Sequence, residues 1–231
     1  MNYIEQYDKC GETYFFLHQH WYRNRVNLSR QKIYAAVGDS LTNKKLLDVG
    51  CGFGEDMAYF QQKGAEVHGI ELSKTMIKIA EREYPSLGNI SLQDFHQTNF
   101  SDNYFDIITS RYTVHYSTDL KKALVEFHRI LKPDGHLIIL VANPLLTFFA
   151  KEKFFYGDKS DAEIPIYGGA FSVIEPSHTF TEYLNLFVLE NFEIKEISES
   201  PGLENTDTEA KIKKIVPDFL FMKLIKKPVL P

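Results

Sequence analysis

From Lys45 onward the apolar positions of the chain switch between two periods. Short, nearly unbroken apolar runs alternate with stretches in which apolar residues recur every three or four positions, the pattern of parallel strands joined by crossover helices. The runs "KLLDVG" (45–50), "EVHGIEL" (66–72), "NISLQD" (89–94), "YFDIITS" (104–110) and "HLIILVA" (136–142) read as five strands. Between them, "EDMAYFQQKG" reads as a helix closed by Gly64, where a left-handed cap is required. Ser73 caps "KTMIKIAEREY", in which Met76, Ile77 and Ala80 share one face and which Pro85 ends. A third helix carries Leu120, Ala123, Leu124, Phe127, Ile130 and Leu131 on one stripe and stops at "KPDG". The fold class is therefore α/β.

After Pro144 the alternation stops. Residues 145–177 are rich in aromatics and glycine with no steady period, as expected of a lid or pocket wall. "TFTEYLNLFVLE" then reads as a helix, and "FEIKEISE" and "DFLFMKLIKK" as a last, antiparallel pair of strands. The stretch 201–216 is too short and polar to assign as a crossover helix. The first forty residues, with Tyr3, Tyr7, Tyr14, Phe15, Phe16, Trp21 and Tyr22, read as helices packed across the sheet edge. One domain spanning 1–231 is expected: a helical cap (1–43), a core (44–144), an inserted lid (145–177) and a C-terminal helix with strands (178–231).

Composition narrows the function. The 231 residues are 44% hydrophobic, enough for a real core, and the net charge is −5 without a Lys/Arg-rich block, so nucleic acid is disfavoured as a partner. Cys10 and Cys51 are far apart and fit neither a disulfide framework nor a metal-ligand pattern; they read as reduced thiols, and no metal is expected. The N-terminus is polar and acidic, and no window reaches the length of a membrane span, so the expected compartment is the cytoplasm. Nothing in the sequence fixes an oligomeric state.

The densest chemistry lies in "LLDVGCGFGEDMAYF", where Gly50, Gly52 and Gly54 sit between a strand and a helix and let the backbone turn sharply beside a ligand. The spacing is G-x-G-x-G, whereas a dinucleotide site has G-x-G-x-x-G with its pyrophosphate on the helix N-terminus. Glu55 and Asp56 stand at that helix start and disfavour a phosphate, so a ligand without phosphates fits better. Glu71 ends the second strand, twenty-one residues after Gly50, the separation at which an acid reaches a ribose diol. Asp94 ends the third strand beside Phe95, a carboxylate for an exocyclic amine and an apolar cover for a purine. Each acid alone reads more simply as a solvated strand end. With Asp48 they converge on the crevice where open α/β sheets bind ligands.

In combination these segments resemble the class I adenosylmethionine-dependent methyltransferases, from about Lys44 to Asn143. "LLDVGCGFG" looks like the family's first motif and "VHGIELSKTMIKIA" like its second-strand motif. "QDFHQTNFSDNYFDIITSRYTVHY" is similar to its D-x-x-x-L-P-F-x-D-x-x-F-D segment, with Asn99 where proline is common. "ALVEFHRILKPDGHLIIL" is similar to its R-x-L-K-P-G-G segment, with Asp134 replacing a glycine. The resemblance implies a Rossmann-like, doubly wound, mostly parallel sheet with an antiparallel last strand, and S-adenosyl-L-methionine as cofactor. It implies that Asp48, Gly50 and Gly52, with Gly54, line the amino-acid end of the cofactor, that Glu71 and Leu72 meet its ribose, that Asp94 and Phe95 meet its adenine, and that Ser110 rims the sulfonium. A carboxylate-rich crevice suits a ligand carrying a sulfonium and an ammonium.

Methyl transfer to oxygen or nitrogen is largely a matter of alignment, assisted by a base when the acceptor is protonated. His115, past the fourth strand, and His178, at the end of the insert, are the candidates; a packed histidine and a helix-start residue are the plainer readings. Arg111 and Tyr112 are candidates to orient a small-molecule acceptor, Phe155, Tyr156 and Tyr167 to surround it, with a surface arginine and core aromatics as the plainer readings. Two function classes remain: a small-molecule methyltransferase, and a non-catalytic cofactor-binding module acting as sensor or partner. The segment "SRYT", standing where a nucleic-acid amino-methylase carries N/D-P-P-Y/F/W, argues against that chemistry.

Overall fold

The computed structural model describes residues 3–151, 157–200 and 217–228. Phe155, Tyr156 and the unassigned stretch 201–216 lie outside the described residues. Nine strands are described: β1 (Lys45–Val49), β2 (Glu66–Glu71), β3 (Ile90–Leu92), β4 (Phe105–Arg111), β5 (Leu131–Ala142), β6 (Ala162–Ile166), β7 (Phe171–Glu175), β8 (Phe192–Glu199) and β9 (Phe219–Lys226). Seven of them form one sheet in the order β3-β2-β1-β4-β5-β9-β8, while β6 and β7 pair only with each other. Neighbours from β3 to β5 are parallel; β9 is antiparallel to both β5 and β8, so it alone runs against the sheet. The fold is α/β and Rossmann-like, with the antiparallel last strand that the motifs imply. The order reverses between β1 and β4, and their carboxyl ends flank the crevice.

Consecutive strand residues feed opposite faces of the sheet. Leu47, Ile108 and Ile139 join Phe127 and Ile130 of α5 (Leu120–Ile130) in one core layer. Leu46, Ile107 and Ile138 join Ile33 of α2 (Leu28–Val37) and Met57 and Phe60 of α3 (Glu55–Gln62) in the other. That two-sided burial is why these strands read as continuous apolar runs. Lys226 is buried at the end of β9, where its Nζ donates to the His128 and Leu131 carbonyls and to Asn103 Oδ1, closing the C-terminus of α5.

Several expectations need correction. On α4 (Lys74–Glu83) the buried face is Met76, Ile79 and Ala80; Ile77 is only partly buried. Leu131 starts β5 instead of ending α5. The N-terminal helices do not lie across the sheet edge. α2 packs on the face of β4 and β5, and α1 (Tyr3–Tyr22) packs on α4 and β7, above the crevice. The insert is more regular than its composition suggests: after α6 (Pro144–Phe149) it folds into the β6–β7 hairpin. The single helix read over 179–190 is two, α7 (Phe180–Tyr183) and α8 (Leu186–Asn191), because Asn185 side-chain Oδ1 accepts from Val188 N and caps a second start. Among the described residues no helix is long and apolar enough to cross a membrane.

Candidate active site

The glycine bend follows β1 and anchors back on β2, where the Ile70 carbonyl accepts from both Gly50 N (2.8 Å) and Cys51 N (3.1 Å). Gly50, Gly52 and Gly54 all adopt positive φ, +68°, +53° and +83°. Their surroundings separate them. A Cβ on Gly50 would stand 2.1 Å from Thr113 Oγ1, and one on Gly54 would meet Leu87 at 3.0 Å, so these two are glycines because the protein packs against itself. A Cβ on Gly52 would meet only Met76 Cε, at 3.8 Å, and Gly52 lines a cleft of about 150 Å³. The space beside Gly52 is open cleft.

Two carboxylates face this cleft without a cationic partner among the described residues. Glu71 Oε1 accepts from Leu72 N and Ser73 N, both at 2.8 Å, and Oε2 accepts from Gly52 N at 3.0 Å. The acid therefore fixes the glycine bend and still has a lone pair of Oε2 for a hydroxyl. Burial raises its pKa above the ordinary range, against the pull of those three N–H groups. Asp48 Oδ1 accepts from Thr109 Oγ1 at 3.0 Å; burial, reinforced by the nearby Asp56 charge, raises its carboxyl to about 7.

Glu55 and Asp56 behave otherwise than expected. Arg30 Nη2 donates to Glu55 Oε2 (2.8 Å) and Arg30 Nε to Asp56 Oδ1 (2.7 Å), while Arg111 Nε donates to Asp56 Oδ2 (2.7 Å). Burial opposes ionisation of Asp56, but the two guanidinium groups override it and hold the carboxyl at about 2. These acids are neutralised by arginines, so the argument against a phosphate passes to Asp48 and Glu71.

Leu72 and Phe95 also line the cleft, as does Gln93, which the sequence reading did not single out. Asp94 does not: its Oδ1 accepts from His96 N (2.8 Å) and contacts His96 Nδ1 (2.6 Å), leaving the carboxylate half-exposed beside a ring that the bond draws toward Ser117. Ser110 is fully buried within β4, its hydroxyl without a partner among the described residues, and it lines neither of the two cavities. The lid over the cleft is α1, fixed by Asp8 Oδ1, which accepts from Ser73 Oγ (2.7 Å) and Thr75 N (3.2 Å) at the start of α4.

A second cavity, about 430 Å³, adjoins the first. Tyr7, Tyr14, Arg111, Tyr112 and Tyr116 line both and form the ring where they meet. In that ring the hydroxyls of Tyr7 and Tyr116 are hydrogen-bonded at 2.9 Å, and Tyr112 OH donates to Asp218 Oδ2 at 2.9 Å. Arg111 is no surface arginine: its Nε donates to Asp56, and the residue lines both cavities where they meet. Tyr167 lines the second cavity against Tyr14, His18 and Trp21. His115 lines it too, buried in a 3-10 turn (Val114–Tyr116), with Nε2 3.3 Å from Glu175 Oε1. His178 does not line it; its ring, in contact with the His115 carbonyl through Nε2 at 2.9 Å, steadies the turn that carries His115. His18, Trp21, Tyr22 and Glu175 are wall residues that the sequence reading missed, because no local motif marks an isolated residue brought in from a distant element.

A family model described as "Methyltransferase domain" matches residues 47–139. The chain is 30% identical over 185 residues to the ubiquinone/menaquinone biosynthesis C-methyltransferase UbiE of Geotalea uraniireducens, an alignment covering 73% of this chain and 74% of that protein. The chain belongs to the class I S-adenosylmethionine-dependent methyltransferases. It spans 61% of the length of an uncharacterized Haemophilus influenzae protein (30% identical, 63% of this chain) and 36% of phosphoethanolamine N-methyltransferase 2 of Caenorhabditis elegans (28%, 77% of this chain). A putative S-adenosylmethionine-dependent methyltransferase from Listeria monocytogenes has the same fold, with a TM-score of 0.71 at 20% identity, covering 87% of this chain and 98% of that one. The cofactor of this methyltransferase family is S-adenosylmethionine. The cleft suits it: the space beside Gly52 is open, Glu71 retains acceptor capacity, and two carboxylates without a cationic partner among the described residues favour a cation.

Proposed function

We propose that this methyltransferase, acting as one domain over 1–231, methylates an oxygen or nitrogen of a small, largely apolar aromatic acceptor seated in the second cavity. The observation that carries this reading is the meeting of the two cavities across a shared ring of four tyrosines and Arg111. Bound in the first cavity, S-adenosylmethionine supplies a methyl group activated by a sulfonium that leaves as a neutral thioether. The chain's own residues supply alignment and proton handling. Asp48, Gly50 and Gly52 hold the amino-acid end of the cofactor, and Glu71 with Leu72 and Phe95 holds the nucleoside. The aromatic wall excludes water and stacks the acceptor, Arg111 Nη groups orient its electron-rich edge, and His115 accepts the proton released as the new bond forms.

A second reading is transfer to a ring carbon of a phenol, favoured by the likeness to a protein named as a C-methyltransferase. It needs the same proton removal by His115. The non-catalytic module is disfavoured by the size of a second cavity that a sensor of the cofactor alone does not need. The test is incubation with cofactor carrying a 13C-methyl group and fractions of a cell extract. Label should enter a small aromatic molecule, and its carbon shift separates oxygen-, nitrogen- and carbon-bound methyl. Cofactor binding without transfer in any fraction would select the binding module.

A further inference from the structure

Glu175 is a buried carboxylate at the end of β7, and no motif or expected role accounts for it. Its Oε2 has no hydrogen-bond partner, and His115 is the one group in ion-pair range among the described residues, with Nε2 at 3.3 Å from Oε1. A buried carboxylate is costly unless it is paired, and His115 is the group that stands against Glu175. The contact is within ion-pair distance and does not meet hydrogen-bond geometry, and the terminal torsion of the Glu175 carboxylate is a soft one.

The same short segment holds His115 twice. Glu175 meets its ring, and three residues on His178 meets its backbone carbonyl at 2.9 Å. The hairpin carrying Glu175 is in turn tied to α1. Gln6 Oε1 accepts from Ile174 N (3.0 Å), Gln6 Nε2 donates to Ile174 O (3.3 Å), and Tyr3 OH donates to Asp161 Oδ1 (2.6 Å). The lid over the cofactor cleft and the hairpin bearing Glu175 are thus joined next to Glu175 itself.

We propose that Glu175 is the positioning residue for His115: it accepts a hydrogen bond from Nε2–H, leaving Nδ1 as the basic nitrogen, and it does so from a hairpin that the cofactor lid holds in place. During transfer the acceptor's proton moves to Nδ1, and the imidazolium so formed is stabilised by the Glu175 carboxylate. The proposal rests on reading His115 as the base, but one arm of its test does not.

That arm is 15N spectroscopy of the histidine rings in the full chain. The proton of neutral His115 should reside on Nε2 in the wild type, stay there in Glu175→Gln, which keeps an acceptor, and lose that preference in Glu175→Leu. Glu175→Leu should melt no lower than the wild type, since it replaces a poorly paired buried acid with an apolar group of similar size. Labelled methyl transfer to the extract acceptor should fall at least about tenfold in Glu175→Leu and be largely retained in Glu175→Gln. A wild-type proton on Nδ1, or a tautomer unchanged in Glu175→Leu, would overturn the proposal whether or not an acceptor is found. A changed tautomer with undiminished transfer would instead reject His115 as the base.

Discussion

In the cofactor cleft the polar groups are committed before any ligand arrives. Glu71 accepts three backbone N–H groups, Asp48 accepts from Thr109, and Asp56 joins Arg30 to Arg111. In the second cavity they are not. Of the eight buried side-chain polar atoms without a partner among the described residues, five belong to its walls: both ring nitrogens of His18, both of His115, and Glu175 Oε2. A buried polar atom left unpaired is costly and uncommon, and five of the eight stand in residues around one cavity. The polar groups of the first cavity are held by the protein's own hydrogen bonds, and several of those around the second are not.

That contrast predicts where substitutions act. The largest effect is at the bend. Gly52→Val should bring cofactor binding below detection by calorimetry, because it forces a β-branched residue to φ +53° and fills the cleft, while the fold survives by melting and circular dichroism. Gly50→Ala should do the reverse in part, lowering the melting temperature through its clash with Thr113. Equal binding losses with equal destabilisation in both variants would break the distinction between packing and ligand glycines. Next in size, Glu71→Gln should weaken cofactor binding by about 1–3 kcal/mol. Glu71→Ala should lower the melting temperature as well, since it strands the N–H groups of Gly52, Leu72 and Ser73.

The same contrast explains what the sequence discloses. The cofactor half is built from local signals: a glycine bend between a strand and a helix, an acid at a strand end, Ser73 as cap, and apolar runs that reveal a doubly covered sheet. Each operates within a few residues, so pattern reading finds it. The pairing of Arg30 and Arg111 with Glu55 and Asp56 is not local, since Arg30 comes from α2, and so the two acids read as free charges. The second cavity is almost wholly non-local. Tyr3 meets Asp161 and Gln6 meets Ile174 across more than 150 residues, and the hairpin strands are five residues each with partly exposed faces, too short for a period to emerge. His115 and His178 read alike from sequence, as two candidate bases, and only tertiary structure distinguishes the backbone-bracing position of His178.

A smaller effect concerns pH. Because burial raises the Asp48 carboxyl from 3.8 to about 7, the folded state binds a proton that the unfolded chain has released. This carboxyl therefore contributes stability that is complete below pH 3.8 and is lost as pH rises through about 7. A cationic ligand needs the ionised form, so cofactor affinity should climb by up to about tenfold from one pH unit below that value to one above it. Asp48→Asn should flatten both the stability and the affinity profiles. A wild-type affinity that does not vary across this range would separate Asp48 from the charged end of the ligand.

The smallest effect tests the other side of the comparison. Tyr167 lines the second cavity and not the first, its ring 5.5 Å from Tyr14 and 6.2 Å from Trp21. Its backbone already sits at φ +52°, so Tyr167→Ala leaves the strain of an L-residue there unchanged and removes only the ring. Losing an aromatic contact of about 0.5–1.5 kcal/mol should raise the acceptor KM by roughly threefold to tenfold. The cofactor Kd should stay within error if the cofactor sits in the first cavity, which Tyr167 does not line. If Tyr167→Ala instead weakens the cofactor as strongly as the acceptor, the two cavities act as one site, and the ring of Tyr7, Tyr14, Arg111, Tyr112 and Tyr116 is the centre of a single pocket and not the boundary between two.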